Sequence, residues 1–154
     1  MIKRAIALSY SGMKDFIQNQ PPANGQHGFI SIIDKCGIRI FDENSPRVIT
    51  LFFDDVHPHQ PLHTITDREF TMFSEEHACE IIEFITAFNA GKNDETMYVN
   101  CGAGIARSGA VVTFIKDIYG LDGVQFALDN PRIMPNAHVL NTLKNCWQSQ
   151  SRFT

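Results

Sequence analysis

The stretch from Thr96 to Gly109, TMYVNCGAGIARSG, constrains this chain more than any other. An apolar run through Met97, Tyr98 and Val99 ends at Asn100. Then come Cys101, the small or apolar residues Gly102, Ala103, Gly104, Ile105 and Ala106, and finally Arg107, Ser108 and an apolar pattern at helical spacing. That order predicts a strand, a tight loop and a helix. The small residues let backbone N–H groups turn toward one point, a nest that suits an anion. A helix starting near Ala106 adds its positive end. A thiol at the mouth of such a pocket ionises readily. Arg107 can fold back and hold two oxygens of a tetrahedral anion in its planar fork. A nucleophile and an anion cradle in one loop imply attack on phosphorus.

The rest of the chain supplies a scaffold of alternating strands and helices. Arg4–Ser9, the continuous apolar run Phe29–Ile33 and Val48–Phe53 read as strands before the one that leads to Cys101. A short helix is expected over Ser11–Gln18, with Met13, Phe16 and Ile17 on one side. Ser74 reads as an N-cap, with Glu75 and Glu76 in the first turn, where the helix dipole favours acids. Ala78, Ile81, Ile82, Ile85 and Phe88 then mark an amphipathic helix closed by Gly91. Beyond the Cys loop, Val111, Phe114, Ile115 and Ile118 mark another, with Gly120 past its end. Val124–Leu128 reads as a short helix, and Asn136 caps a last one carrying Val139, Leu140, Leu143 and Trp147. The pattern predicts one α/β domain over residues 1–154: three layers, with a mostly parallel sheet flanked by helices. In such sheets ligands bind beyond the carboxyl ends of the strands, where the Cys loop falls.

Other functions are disfavoured. The net charge of −4 argues against nucleic acid or an anionic membrane as the main partner. No apolar run approaches the roughly 18 residues that span a bilayer. The start, Met1-Ile2-Lys3-Arg4, leads into a strand-like run rather than a signal peptide, so a cytoplasmic location is expected. Cys36, Cys79, Cys101 and Cys146 show neither CxxC nor Cys/His ligand spacing, so no metal, cofactor or disulfide framework is expected. His57, His59 and His63 alternate in a Pro-rich loop with no carboxylate or thiol at a familiar ligand spacing; a solvated loop over the pocket is the simpler reading. Oligomeric state is not legible.

Cys-x5-Arg-Ser, placed between a strand and a helix, resembles the signature loop of the cysteine-dependent protein tyrosine phosphatases. Arg132-Ile133-Met134-Pro135-Asn136 resembles the R-x-x-x-P-N segment that follows that loop in dual-specificity phosphatases. The likeness runs from about Phe29 to Leu143 and is similar to the compact bacterial and phage members. It implies the phosphatase fold and a phosphomonoester hydrolase, a protein tyrosine or dual-specificity phosphatase, acting through a phosphocysteine intermediate. Cys101 would attack phosphorus, while Arg107 and the amides of Gly102 to Arg107 hold the oxygens. Ser108 would hydrogen-bond the sulfur, and Asn136 would brace the loop. The family usually has His before the Cys. Asn100 stands there instead, which implies weaker activity or a displaced pH dependence.

The leaving group needs a proton. Asp55 is ranked first as its source, because it follows a strand as the family's acid does. Its interval of 46 positions to Cys101 is long, however, and Asp67, at 34 positions, fits the spacing better. Asp54 ranks third and suits a structural role at the strand end. The substrate is expected to be a phosphorylated protein or a small phosphomonoester, since no basic residue stands among Gly102–Ala106. The alternative is a weak or inactive phosphatase relative that binds phosphate or phosphopeptide without turnover. Sulfur-transfer loops are usually one residue shorter, and arsenate reductases of the low-molecular-weight type carry the loop near the N-terminus; both fit poorly. A plain interaction domain would bind no phosphate at all.

Overall fold

A computed structural model describes residues 1–19, 27–56 and 70–151. Its elements run β1 (Ile2–Leu8), α1 (Tyr10–Asn19), β2 (His27–Ile33), β3 (Val48–Phe52), α2 (Glu75–Asn89), β4 (Glu95–Asn100), α3 (Arg107–Tyr119), α4 (Gly123–Asp129) and α5 (Ala137–Ser151). Four strands form one sheet in the order β1-β4-β2-β3, with every pair parallel. The expectation of a mostly parallel sheet thus becomes a wholly parallel one among the described residues. The three histidines of the 57–63 stretch and Asp67 lie outside those residues.

Alternation divides the core between two faces. Ile30 and Ile32 of β2 and Met97 and Val99 of β4 pack with Ile81, Ile85, Phe114, Ile115 and Leu143 from α2, α3 and α5. Phe29 and Tyr98 point the other way, onto Met13, Phe16 and Ile17 of α1 and onto Phe41. Inner strands covered on both faces read as continuous apolar runs, as FISII does. β1 breaks the period: Ile2 and Ala5 share the larger core although three positions apart, and a register shift between Ile2 and Arg4 accounts for it.

The caps follow local chemistry. Ser74 opens α2 by accepting from the His77 N–H, and His77 Nδ1 accepts from the Ser74 N–H at 3.0 Å. That return bond needs a neutral imidazole, and burial lowers the His77 pKa, desolvation outweighing the nearby Glu80 and Glu76. α2 ends at Asn89 with Ala90 as a right-handed C-cap; Gly91, expected to close it, lies one residue beyond. Gly120 closes α3 at φ 59, a left-handed geometry that glycine adopts without strain. Asn136 caps α5, its Oδ1 accepting from the Val139 N–H at 3.1 Å.

Both sheet edges are covered by asparagine. Asn130 donates to the Ala5 carbonyl at 2.8 Å and accepts from the Ala7 N–H at 2.7 Å, so one amide stands in for a strand beside β1. Asn44 accepts from the Thr50 N–H of β3 at 3.0 Å. Among the described residues, no helix is long and apolar enough to cross a membrane.

Candidate active site

The loop from Cys101 to Ala106 is anchored from both sides. Next to β1, the Cys101 N–H donates to the Leu8 carbonyl at 3.3 Å, and the Tyr10 N–H donates to the Gly102 carbonyl at 3.0 Å. On the other flank, the Met134 and Asn136 N–H groups donate to the carbonyls of Ile105 and Ala106, each at 3.0 Å. The R-x-x-x-P-N segment therefore braces the loop through its backbone. Gly104 sits at φ 76, and a Cβ there would lie 2.6 Å from the Leu8 carbonyl carbon and the Ser9 nitrogen. Only glycine fits that close approach.

Cys101 is 2% exposed. Its sulfur accepts from the Gly104 N–H at 3.3 Å and lies 3.1 Å from Ser108 Oγ. Asn100 is fully buried; its Nδ2 reaches the Cys101 carbonyl only at 3.5 Å, and its Oδ1 has no partner among the described residues. Ala106, the N-cap of α3, brings no side-chain acceptor, so the first-turn N–H groups face the loop uncapped.

Arg107 starts α3 and runs back beneath the loop, its Nη2 3.4 Å from where a Gly102 Cβ would stand. Nη1 is held twice: by Asp34 Oδ1 at 2.6 Å and by the Phe53 carbonyl at 2.9 Å. Its side chain is 7% exposed, while that of Asp34 is 63% exposed. Nε is buried without a partner among the described residues. The guanidinium is thus fixed by one nitrogen, and its Nε–Nη2 edge, the edge that matches two oxygens of an anion, is not bonded to any described residue.

The ranked aspartates separate. Asp55, exposed after β3, accepts from Asn136 Nδ2 at 2.7 Å and so stands beside the segment that braces the loop. Asp54 accepts from the Lys35 N–H at 3.2 Å and the Thr71 N–H at 2.8 Å, the structural role foreseen for it. Sequence reading missed Asp34. It follows an apolar strand as Asp54 does, but only the strand order, which puts β2 beside β4, brings it to Arg107.

No protein-family model matches the sequence, and no curated protein matches it. Solved structures match its fold. The PTP-2 phosphatase of Cydia pomonella matches with a TM-score of 0.56 at 14% identity, over 93% of this chain and 85% of that one. Human DUSP28 matches at 0.51 and 16%, over 97% and 95%. PTPMT1, crystallised with PI(5)P, matches at 0.51 and 13%, over 99% and 96%.

Proposed function

We propose that this chain, which has the fold of the compact cysteine-based tyrosine and dual-specificity phosphatases, hydrolyses phosphomonoesters through a phosphocysteine intermediate. The observation that carries the reading is Arg107, a buried guanidinium clamped at Nη1 with its Nε–Nη2 edge not bonded to any described residue, six positions after a buried cysteine. The Cys101 thiolate attacks phosphorus as the bond to the leaving oxygen breaks. The Nε–Nη2 edge and the loop amides take the non-bridging oxygens as charge shifts onto them. Asp55, as the carboxylic acid, gives its proton to the leaving oxygen. Water then attacks the phosphocysteine, the S–P bond breaks to return the thiolate, and Asp55 takes a proton back. Ser108, 3.1 Å from the sulfur, stabilises that returning thiolate. The substrate is a phosphorylated protein or a small phosphomonoester.

One observation favours the alternative of a phosphate or phosphopeptide binder without turnover. The Asp55 carboxylate is already engaged by Asn136 Nδ2 at 2.7 Å, a bond that holds it at the brace rather than free to approach a leaving oxygen. Cys101→Ser separates the readings from simple inactivity: it should abolish release of phosphate from para-nitrophenyl phosphate yet retain phosphate binding. Turnover above a few percent of wild type would overturn the covalent mechanism; wild-type binding without turnover would establish the binder.

A further inference from the structure

Beside the Cys loop lies an open cleft of about 390 Å³ that the mechanism above does not use. Tyr10 and the exposed Ile38 give it apolar surface, the strand end at Ile32 and Ile33 with Cys36 and Gly37 completes the lining, and Asp34 and Gly102 form the side next to the loop. Both of the latter touch the Arg107 guanidinium region, so the cleft begins where a phosphate held by Arg107 would end. Its walls are set: the Tyr10 hydroxyl donates to the Ile38 carbonyl at 3.0 Å, and the Tyr10 N–H donates to the Gly102 carbonyl at 3.0 Å. No lysine or arginine lines it among the described residues. Asp34 uses Oδ1 on Arg107, and no described residue donates to its Oδ2.

We propose that this cleft is a subsite for a basic side chain flanking the phosphorylated residue of a peptide substrate. The inference rests on the phosphate reading of the Cys loop. A phosphate dianion and a thiolate crowd negative charge around one guanidinium that is already shared with Asp34. A cation in the adjacent cleft offsets that excess and takes the second oxygen of Asp34. An arginine or lysine also suits the walls, with its aliphatic stem on Ile38 and its head near the Asp34 carboxylate. A polyanionic leaving group meets the opposite: a carboxylate on the wall and, among the described residues, no lysine or arginine in the lining.

The test measures affinities for the Cys101→Ser protein, which leaves turnover out of the readout. Three phosphopeptides differ only in carrying arginine, leucine or glutamate on both sides of the phosphorylated residue. The arginine peptide should bind about tenfold tighter than the glutamate peptide, and the gap should narrow at high salt. Ile38→Lys, at a position 79% exposed and therefore harmless to packing, should collapse that ratio. The ratio within one variant cancels any change in the loop itself. Equal affinities, a preference for glutamate, or a preference that Ile38→Lys leaves intact would each overturn the subsite. Inorganic phosphate, titrated in parallel, tests the loop: loss of phosphate binding sinks both readings, whereas phosphate binding with equal peptide affinities sinks only the subsite.

Discussion

Two arginine–aspartate pairs in this molecule have nearly the same length and opposite designs. Arg4 at the β1 edge meets Asp129 with Nη2 at 2.7 Å and Nε at 3.0 Å, so the carboxylate fills the guanidinium fork. There the cation is 46% exposed and the acid 8%. In Arg107–Asp34 the cation is the buried partner and the acid the exposed one. Asp34 takes Nη1 instead, so the fork edge that Asp129 fills on Arg4 carries no partner on Arg107 among the described residues. An arginine that closes a sheet edge spends its fork on the fold. One buried under a loop and held by its third nitrogen presents the fork to something else.

That contrast can be broken in several ways. The largest effect should come from Asp55, the proton donor proposed for the site. Asp55→Asn should cost about 10²–10⁴ in kcat with phenyl phosphate and much less with an activated ester whose leaving group needs no proton. An equal loss on both esters would remove Asp55 from that role. Next, Arg107→Lys keeps the charge and loses the fork, and should cost roughly 10²–10³ in kcat/KM. Arg4→Lys should leave kcat/KM unchanged, and comparable losses in the two would erase the distinction. Asp34→Ala should lower kcat/KM by up to about 10², through misplacement of the fork, with Asp34→Asn intermediate because it keeps an acceptor. The melting temperature should fall, since the buried Arg107 then keeps only the Phe53 carbonyl on Nη1; a lowered melt with intact kinetics would make Asp34 purely structural.

The smallest effect belongs to the edge pair. The Arg4 hydrogen bond holds the Asp129 pKa below its ordinary value, with a lesser contribution from Gln125. A depressed folded-state pKa adds stability above the unfolded value of about 3.9, and that stability disappears as pH falls through the folded value. Asp129→Asn should therefore cost under about 1 kcal/mol at neutral pH, since solvent screens the half-exposed Arg4, and less in acid. Chemical denaturation at several pH values measures it. A loss that grows as pH falls would contradict the assignment.

Much of the fold was legible because it rests on periodicity and caps. The FISII run, the Ala78–Phe88 stripe, Ser74, Gly120 and Asn136 each act within a few residues of chain. The Cys loop was legible for the same reason: Gly104 must accommodate a positive φ, and Ser108 must reach back across the loop to the sulfur. Gly91 misled by a single position, because Ala90 ends α2 in a right-handed conformation that needs no glycine. Strand-end placement ranks Asp55 over Asp67, with Asp54 third as a structural carboxylate; the structure has Asp54 occupied by backbone amides, whereas Asp55 meets Asn136.

By itself the sequence determined the local objects: a nucleophile in a glycine-bearing loop between strand and helix, an arginine six positions on, and alternating elements that imply a parallel sheet. Spacing along the chain sets those, since each depends on backbone geometry over one or two turns. The tertiary structure alone decided that Asp34, 73 residues from Arg107, holds its Nη1, and that the Phe53 carbonyl shares the task. It also decided that a cleft opens between Tyr10, Ile38 and Gly102. These follow from the strand order β1-β4-β2-β3, which brings the ends of distant strands side by side. That order is fixed by which apolar faces bury best together across the whole sheet, a sum over long-range contacts that no local pattern encodes.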